Sequence, residues 1–294
     1  MVGELASLPR GIIDAYKQRG VTTLFPWQRQ CLQVDGVLRS QRSLVYVAPT
    51  SGGKSLIAEV LACRTLHLLR KKVLYVVPYV SMVREVGDRL ASLFDGLKAT
   101  AARTKGFQRD GLRVQAFHGR ERGAPDAHAD VYVCTIEKAS AVFNALIAAG
   151  TLGSLGLVVA DEVHMLGDER GAQLEALLTR CRHLRRRTAG ARFEVKGAAA
   201  AAAAEPAAHD AADGGGGALA PSGRLQLVCM SATLQPQCAA QLSRWLDAAL
   251  FTSDFRPVEL QENFVCNGAL WRPGDGDKAG TLVRADAPLR PPLG

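Results

Sequence analysis

Short apolar runs recur along the chain, and amphipathic helical patterns separate most of them. The runs are rich in Val, Leu and Tyr, which is typical of strands buried on both faces of a sheet. They lie at Ser43–Ala48, Val73–Val77, Val114–Phe117, Val131–Cys134, Leu157–Ala160 and Leu225–Met230. Helical periodicity covers Leu56–Leu69, Met82–Phe94, Ile136–Ala148 and Ala172–Leu184. Because strands alternate with helices, the pattern predicts an α/β fold, with a parallel β-sheet covered by helices on both faces.

Both ends of the chain carry weaker patterns. Apolar positions at residues 12–16 indicate a short amphipathic helix, Leu234–Ala249 is predicted to be helical, and Asp254–Leu260 to be an extended exit segment. Trp271–Gly294 is rich in Gly and Pro and is predicted to be loose. We therefore expect a helical lead-in over residues 1–24, a main domain over 25–260 and a loose tail over 261–294.

Between Thr188 and Gly223 the composition changes abruptly to Ala, Gly, Asp and Pro. Such a segment lacks the apolar side chains needed to fill a core, so it cannot offset the entropy lost on ordering. The sequence predicts a disordered Ala/Gly-rich insertion over residues 188–223, between a helix and the following strand.

Composition and cysteine usage narrow the class of protein. The 294 residues are 48% hydrophobic and 22% charged, which is typical of a folded domain. Charged residues such as Glu4, Arg10 and Asp14 interrupt the start, and the longest purely apolar stretch, Ala198–Ala204, is far shorter than a membrane span. The 7 cysteines form no Cys-x-x-Cys pair. We expect no signal peptide, no membrane span and reduced, mostly buried thiols in an intracellular protein.

The formal net charge of +8 is unevenly distributed. Five arginines fall within one short stretch that contains no acid: Arg180, Arg182, Arg185, Arg186 and Arg187. A basic cluster of this kind suits a phosphate backbone. A helix end whose cations complement the helix dipole explains it equally well, so both interpretations stay open.

A Gly-rich loop joins the first buried run to the next helix, which is the context that a phosphate-binding P-loop requires. Its residues are Ala48, Pro49, Thr50, Ser51, Gly52, Gly53, Lys54 and Ser55. The glycines allow backbone N–H groups to approach phosphate oxygens, Lys54 can reach the β- and γ-phosphates of ATP, and the Ser55 hydroxyl can bind Mg²⁺. Ala48 stands where the general pattern has its first glycine.

Two carboxylates, Asp161 and Glu162, follow another buried run, at the end where α/β sheets bind ligands. Asp161 is suited to hold Mg²⁺, and Glu162 to orient and deprotonate an attacking water. His164 could link this site to neighbouring segments by a hydrogen bond. Taken alone, an Asp-Glu pair at a strand end is more often a helix cap. With the P-loop upstream, we favour an ATP-hydrolysing site.

Two further segments complete the candidate nucleotide site. Ser231, Ala232 and Thr233 follow a strand and carry two hydroxyls that could hydrogen-bond the acidic pair, although Thr233 alone would suit a helix N-cap. Gln28 could bind adenine through its side-chain amide, although most glutamines are simply solvated.

Together these segments resemble a superfamily 2 DEAD/DEAH-type helicase, with motif I at APTSGGKS, motif II at DEVH, motif III at SAT and a glutamine motif at FPWQ. Four segments are similar in sequence to the corresponding segments of the helicase-like domains of the DNA polymerase theta group and related repair helicases: VVPYVSMVRE, VCTIEKA, VVADEVHMLGD and DFRPVEL. The resemblance implies a RecA-like P-loop NTPase lobe that uses ATP and Mg²⁺, acts on DNA and works in the nucleus.

The same resemblance implies nucleic-acid contacts at two further loops. Pro78, Tyr79 and Ser81 correspond to motif Ia, and Thr135 and Lys138 to motif Ib, which grip the phosphates of one strand. It also implies single-stranded DNA or a 3′ overhang as partner, and movement from 3′ to 5′. Family members carry a second RecA-like lobe, and we expect this chain to contain only the first.

Three functions are therefore compared. The first is the ATP-binding domain of an ATP-dependent DNA helicase, and the second is an ATP- and DNA-binding module with negligible turnover by itself. A third, a P-loop kinase or small-molecule ATPase, leaves the SAT and TIEKA segments unexplained.

Overall fold

The structure is a computed structural model that describes residues 8–101, 112–117, 125–126, 128–168, 170–194, 224–258, 263–266, 269–273 and 282–284. The contacts divide the chain into a large unit, Met1–Phe255, and a small unit, Arg256–Gly294. In the described part of the chain, no helix has the length and apolarity needed to cross a bilayer. Most of the predicted insertion, residues 195–223, lies outside the described residues.

Seven strands and seven α-helices make up the described large unit. The helices are α1 Arg10–Gln18, α2 Pro26–Gln33, α3 Lys54–His67, α4 Val80–Ala101, α5 Ile136–Ala148, α6 Gly171–Glu194 and α7 Pro236–Leu246. The strands are β1 Ser43–Val47, β2 Lys72–Val77, β3 Val114–Phe117, β4 Val131–Thr135, β5 Leu155–Ala160, β6 Gln226–Ser231 and β7 Ala248–Thr252. Short 3₁₀ turns lie at Leu152–Ser154 and Val163–Gly167.

All seven strands pair in parallel in one sheet, in the order β3-β4-β2-β5-β6-β1-β7. Parallel strands end at a common edge, so the loops that follow β4, β2, β5, β6 and β1 leave the sheet side by side. The register aligns Val77 with Thr135, and Val47 with Ser231. The candidate motifs therefore share the carboxyl edge of the sheet.

The sheet separates two hydrophobic clusters. Alternate residues of a strand point to opposite faces, so Val73 and Tyr75 pack in one cluster and Leu74 and Val76 in the other. Buried side chains of α1 to α4 cover the first face, and those of α5 to α7 cover the second. The prediction of a parallel sheet with helices on both faces is confirmed.

Three boundaries differ from the sequence-based expectations. The helix predicted over Leu234–Ala249 ends at Leu246, because Asp247 takes a left-handed conformation with φ of 50°, and an unpredicted strand β7 then pairs with β1. Helix α6 continues to Glu194, past the expected break at Thr188, since its composition there still permits helix. Helix α2, over Pro26–Gln33, was also not predicted.

The small unit corrects the prediction of a loose tail. It contains three short strands, β8 Phe264–Cys266, β9 Ala269–Pro273 and β10 Leu282–Arg284. They form an antiparallel sheet in the order β10-β9-β8. The tail prediction was wrong at these strands because hydrogen bonds between neighbouring strands compensate for a weak local pattern.

Candidate nucleotide and nucleic-acid site

The P-loop leaves β1 and turns sharply into α3. Gly53 has φ of 79°, a left-handed conformation that favours glycine. A Cβ atom at Gly53 would lie 2.6 Å from Gln28 Nε2, and one at Gly52 would lie 3.0 Å from the Pro49 carbonyl oxygen. Gly53 is therefore favoured mainly by its left-handed backbone, and Gly52 by the tight approach of the Pro49 carbonyl group. Ala48, which replaces the first glycine of the general pattern, is buried, and its N–H donates to the Ser231 carbonyl oxygen at 3.2 Å.

Lys54 and Ser55 are the first two residues of α3. Lys54 Nζ donates to the Pro49 carbonyl oxygen at 3.1 Å, so the ammonium group folds over the loop. Burial lowers the pKa of Lys54, whereas the nearby carboxylates Glu162 and Asp161 oppose that shift. The candidate phosphate-binding lysine thus lies in the field of the acidic pair.

The acidic pair lies directly after β5. Glu162 has φ of 52°, and its N–H donates to Asp161 Oδ1 at 2.9 Å. Burial, followed by the neighbouring Glu162 carboxylate, raises the pKa of Asp161 to about 6. This strained turn points one carboxylate into a site where its charge is poorly solvated, an arrangement that suits a cation or a reacting group.

His164 connects the acidic pair to the segment after β6. Its Nδ1 lies 3.1 Å from Ser231 Oγ and 3.2 Å from Glu162 Oε2. Ser231 is fully buried, and its hydroxyl also accepts from the Thr233 N–H at 3.3 Å. The structure thus joins His164 to Ser231 and Thr233, with Ala232 between them. Helix α7 begins at Pro236, so Thr233 is not its N-cap.

Gln28 and Trp27 hold the P-loop from α2. Gln28 is buried, its Oε1 accepts from the Phe25 N–H at 2.9 Å, and its Nε2 donates to the Gly53 carbonyl oxygen at 3.0 Å. In this conformation both ends of the amide bind backbone groups. Trp27, which sequence reasoning missed, donates from Nε1 to the Gly52 carbonyl oxygen at 3.1 Å. Its position in FPWQ, beside Gln28, was the available signal.

A cavity of about 420 Å³ opens beside the start of α3. Gln28, Gly53, Ser55, Glu59 and Arg89 are among its lining residues. Its volume falls within the usual range for small-molecule sites. The cavity adjoins the P-loop, as a nucleoside site would.

The two candidate nucleic-acid loops leave β2 and β4, which are neighbours in the sheet. Tyr79 is 56% exposed, and Ser81 lies in the first turn of α4. Thr135 is the buried residue that precedes α5, and Lys138 Nζ lies 4.8 Å from the centre of the Phe117 ring. Tyr79 and the start of α5 therefore lie at the carboxyl edge of the sheet, on the side of β5 where β2 and β4 end.

Arg170 joins these two loops, and sequence reasoning did not single it out. Its Nε donates to Glu137 Oε1 at 2.7 Å, and its Nη2 donates to the Pro78 carbonyl oxygen at 2.8 Å. Glu137 lies between Thr135 and Lys138. No local pattern identifies such a contact, because it spans three segments that are distant in sequence.

The basic cluster on α6 is largely occupied by contacts within the chain. Arg185 is buried, and its Nη1 donates to the carbonyl oxygens of Leu246 and Asp247 at 3.0 and 3.1 Å, at the end of α7. Arg180 donates to Asn144 Oδ1 at 2.8 Å, and the Arg182 guanidinium lies 5.8 Å from the Trp245 ring centre. Arg185 thus caps the end of α7 and does not lie at a solvated end of its own helix, since α6 continues to Glu194, whereas Arg186 is exposed.

The donors around the P-loop also fit Mg²⁺. Ser55 and Asp161 offer a hydroxyl and a carboxylate, which are hard oxygen ligands. Among the described residues there is no group of three or more His, Cys, Asp or Glu side chains placed to hold a metal. A small set of protein ligands is nevertheless usual for Mg²⁺, which keeps several waters and binds substrate phosphates.

Comparisons with known proteins agree with this arrangement. A sequence model described as DEAD/DEAH box helicase matches residues 26–241. DNA polymerase theta from Mus musculus is 36% identical over 96% of this chain and 10% of that protein. The ATP-dependent DNA helicase Hel308 from Thermococcus kodakarensis is 30% identical over 89% of this chain and 18% of that protein. The chain therefore spans only a small part of these relatives.

Solved structures show the same fold. The DUF1998 helicase MrfA bound to DNA and AMPPNP superimposes with a TM-score of 0.56 and 17% identity, over 84% of this chain and 29% of that one. At this identity the match concerns the fold alone. The parallel sheet and its helices are those of a RecA-like helicase domain.

Proposed function

Because the chain belongs to the DEAD/DEAH box helicase family, we propose that it is the ATP-binding domain of an ATP-dependent DNA helicase. In this proposal, ATP·Mg binding and hydrolysis are coupled to the binding of single-stranded DNA. The observation that carries it is the adjacency of β5, β6 and β1. Their carboxyl ends present the acidic pair, the Ser231–Thr233 segment and the P-loop side by side.

The P-loop binds the phosphates of ATP. The Gly53 N–H, and the Gly52 N–H once it releases the Pro49 carbonyl oxygen, face the phosphate oxygens at the start of α3, where the helix dipole favours an anion. Lys54 exchanges its bond to the Pro49 carbonyl oxygen for the β- and γ-phosphates. Ala48 to Ser51 shape the turn, and the cavity beside Gln28 holds the nucleoside.

Ser55 and Asp161 hold Mg²⁺, which when bound neutralises charge that develops on the β- and γ-phosphates. The raised pKa of Asp161, to about 6 in the protein alone, favours this role because a cation stabilises the carboxylate that burial disfavours. Glu162 orients the attacking water and accepts its proton. His164 hydrogen-bonds Ser231 Oγ and lies 3.2 Å from Glu162 Oε2, so it connects the carboxylate to the Ser231–Thr233 segment.

Single-stranded DNA, or a duplex with a 3′ overhang, binds at the loops after β2 and β4. Pro78, Tyr79 and Ser81 meet one part of the strand, and Thr135 and Lys138 meet the next. Tyr79 offers an exposed aromatic face for stacking, while the start of α5 receives a phosphate. Hel308 is named a DNA helicase, which supports DNA as the partner. Work in DNA repair and a nuclear location belong to the same proposal.

A second candidate is an ATP- and DNA-binding module with negligible turnover by itself. It is favoured by the share of the relatives that this chain spans, 10% of DNA polymerase theta and 18% of Hel308. In this candidate, groups from outside the chain complete the hydrolytic site.

Substitution of Lys54 tests the nucleotide site. Lys54→Ala removes a charge-assisted phosphate contact worth about 1.5 to 3 kcal/mol, so the affinity for ATP·Mg should fall about ten- to a hundredfold. Lys17→Ala, on the exposed face of α1, is the matched control. Both can be titrated with a fluorescent ATP analogue. Equal affinity of Lys54→Ala and the wild type would contradict the proposal.

A further inference from the structure

The turn that follows the acidic pair is packed tightly onto the start of α6. The 3₁₀ turn Val163–Gly167 begins directly after Glu162, and the Gly171 N–H donates to the Asp168 carbonyl oxygen at 2.8 Å. A Cβ atom at Gly171 would collide with the carbonyl oxygens of Met165 and Leu166. Arg170, the residue before Gly171, is therefore attached to backbone that packs against the turn after the acidic pair.

The Arg170 side chain contacts both loops to which the proposed function assigns DNA, the one after β2 at Pro78 and the one after β4 at Glu137, here called the strand-gripping loops. Its Nη2 donates to the Pro78 carbonyl oxygen at 2.8 Å, while Nε donates to Glu137 Oε1 and Nη2 lies in ion-pair contact with the same oxygen. Glu137 lies in the first turn of α5, after Thr135. Burial alone would raise the pKa of Glu137, but its own backbone N–H, the Thr135 hydroxyl and Arg170 outweigh burial and lower that pKa from its usual value. The Glu137 carboxylate is thus well placed to accept from Arg170.

We propose that Arg170 is a positioning residue that couples the acidic loop at the nucleotide site to the strand-gripping loops at Pro78 and Glu137. The inference rests on the proposed function, since it assumes that both ligands bind. Only a planar guanidinium can meet a carboxylate and a carbonyl oxygen in a fixed fork. When nucleotide shifts the acidic loop, the fork carries that shift to the two loops together.

A direct contact between Arg170 and a DNA phosphate is the competing explanation. It makes two different predictions. A lysine would keep a phosphate contact but not the fork, and loss of one phosphate contact lowers the salt dependence of binding by about 0.7 for a single strand. If Arg170 is instead a positioning residue, lysine does not replace it, and its loss leaves the salt dependence of DNA binding unchanged.

The test measures how nucleotide changes DNA affinity. Fluorescence anisotropy gives the Kd of the full chain for a labelled oligothymidine, with and without Mg²⁺ and a non-hydrolysable ATP analogue. The ratio of the two values is the coupling factor, which is commonly about 5- to 150-fold. We expect a factor of at least about fivefold in the wild type and below about twofold in both Arg170→Gln and Arg170→Lys. A purely structural defect would change both Kd values equally and leave the ratio intact.

Arg180→Gln is the matched control, because Arg180 also joins α6 to α5, through Asn144, away from the loops. Its coupling factor should equal that of the wild type. Nucleotide affinity without DNA should stay within about twofold in all variants, since Arg170 contacts no P-loop residue in the described contacts.

Several outcomes overturn the inference. They are a wild-type ratio of one, an Arg170→Lys variant that behaves like the wild type, an equal loss in Arg180→Gln, and a salt slope that falls by about 0.7 in Arg170→Gln. Failure of the wild type to bind nucleotide or DNA at all would instead overturn the proposed function.

Discussion

Trp27 and Gln28 illustrate how single side chains fix the geometry of the P-loop. Trp27 donates to the Gly52 carbonyl oxygen, and Gln28 donates to the next carbonyl oxygen along the chain, that of Gly53. Both side chains are almost fully buried, so these hydrogen bonds are shielded from competing water. The nucleotide loop is thus held before any ligand arrives, which reduces the ordering cost of binding.

Glu59 is a buried carboxylate in the wall of the same cavity. Its Oε1 lies 2.8 Å from Arg89 Nε, and its Oε2 accepts from the Tyr16 hydroxyl at 3.2 Å. Burial raises the pKa of Glu59 above its usual value, although Arg89 opposes the shift. The folded chain therefore holds this proton more tightly than the unfolded chain does.

The Glu59 shift predicts a pH dependence of stability. A raised pKa means that the folded state binds more protons than the unfolded state, so the free energy of unfolding falls as pH rises through the raised pKa. Glu59→Gln cannot titrate, so its stability relative to the wild type should improve from pH 4.5 to pH 8, whatever the constant cost of the substitution.

Urea unfolding across that pH range measures the trend. Glu85→Gln is the control, because it removes a solvated carboxylate beside the same arginine. Glu85 Oε1 lies 3.7 Å from Arg89 Nη1, and the Glu85 side chain is 74% exposed. A difference between Glu59→Gln and the wild type that is constant or worsens with pH would refute the prediction.

Helix α7 ends against α6 in a way that gives two adjacent arginines different roles. Arg185 satisfies carbonyl oxygens at the end of α7, and Arg186 is exposed beside it. A helix end leaves carbonyl groups without partners, and a cation near them is also favoured by the helix dipole. The arginine cluster therefore contains at least one cation that stabilises the fold.

Alanine substitution separates the two arginines. Arg185→Ala leaves the carbonyl oxygens of Leu246 and Asp247 without this donor, so the free energy of unfolding should fall by about 1.5 to 3 kcal/mol. Arg186→Ala should stay within about 0.5 kcal/mol of the wild type. Denaturant midpoints at constant slope measure both. Equal effects of the two substitutions would show that the buried contact adds nothing to stability.

Across the whole molecule, the sheet order divides the carboxyl edge into two neighbouring regions. The loops after β4 and β2 form the proposed DNA region, and those after β6 and β1 form the nucleotide region. The acidic pair follows β5, between them. This order would let the domain bind both proposed ligands at once, and it places the contacts of Arg170 across the boundary between the two regions.

The same view predicts that the chain alone turns over ATP slowly and responds little to single-stranded DNA. Phosphoryl transfer depends on cations around the γ-phosphate, and an arginine finger is worth about 10³ to 10⁵ in rate. The family resemblance places such arginines in a second lobe. Joining the segment that follows the matching region of the mouse relative should raise turnover, as measured by phosphate release.

Glu162→Gln provides the blank for that measurement, because it removes the proposed base while keeping the shape of the side chain. Fast, DNA-stimulated turnover by the chain alone, lost in Glu162→Gln, would show that one lobe suffices. In that case the first function, rather than the binding module, describes the isolated chain.

Local sequence predicted the strands and the order of the motifs well. The run Val73–Val77 is apolar at every position because both faces of the parallel sheet are covered, and this pattern needs no knowledge of neighbours. The expected α/β fold and the helicase family are confirmed. The turn between β1 and α3 was predictable for a similar reason, since Gly53 takes a left-handed conformation that favours glycine at its own position. The roles assigned to Lys54, Asp161 and Glu162 stay predictions.

Tertiary structure alone decided which distant residues meet. Strand β7 exists because the edge of β1 accepts it, although its residues continue an apolar helical pattern. Arg170 reaches Pro78 across 92 positions and Glu137 across 33, and no periodicity encodes such pairs. The sequence by itself determined strands β1 to β6, the Gly-rich turn after β1 and the position of the acidic pair, because each depends on local backbone and burial. The strand order and the contacts across it depend on long-range pairing, and only the folded chain sets them.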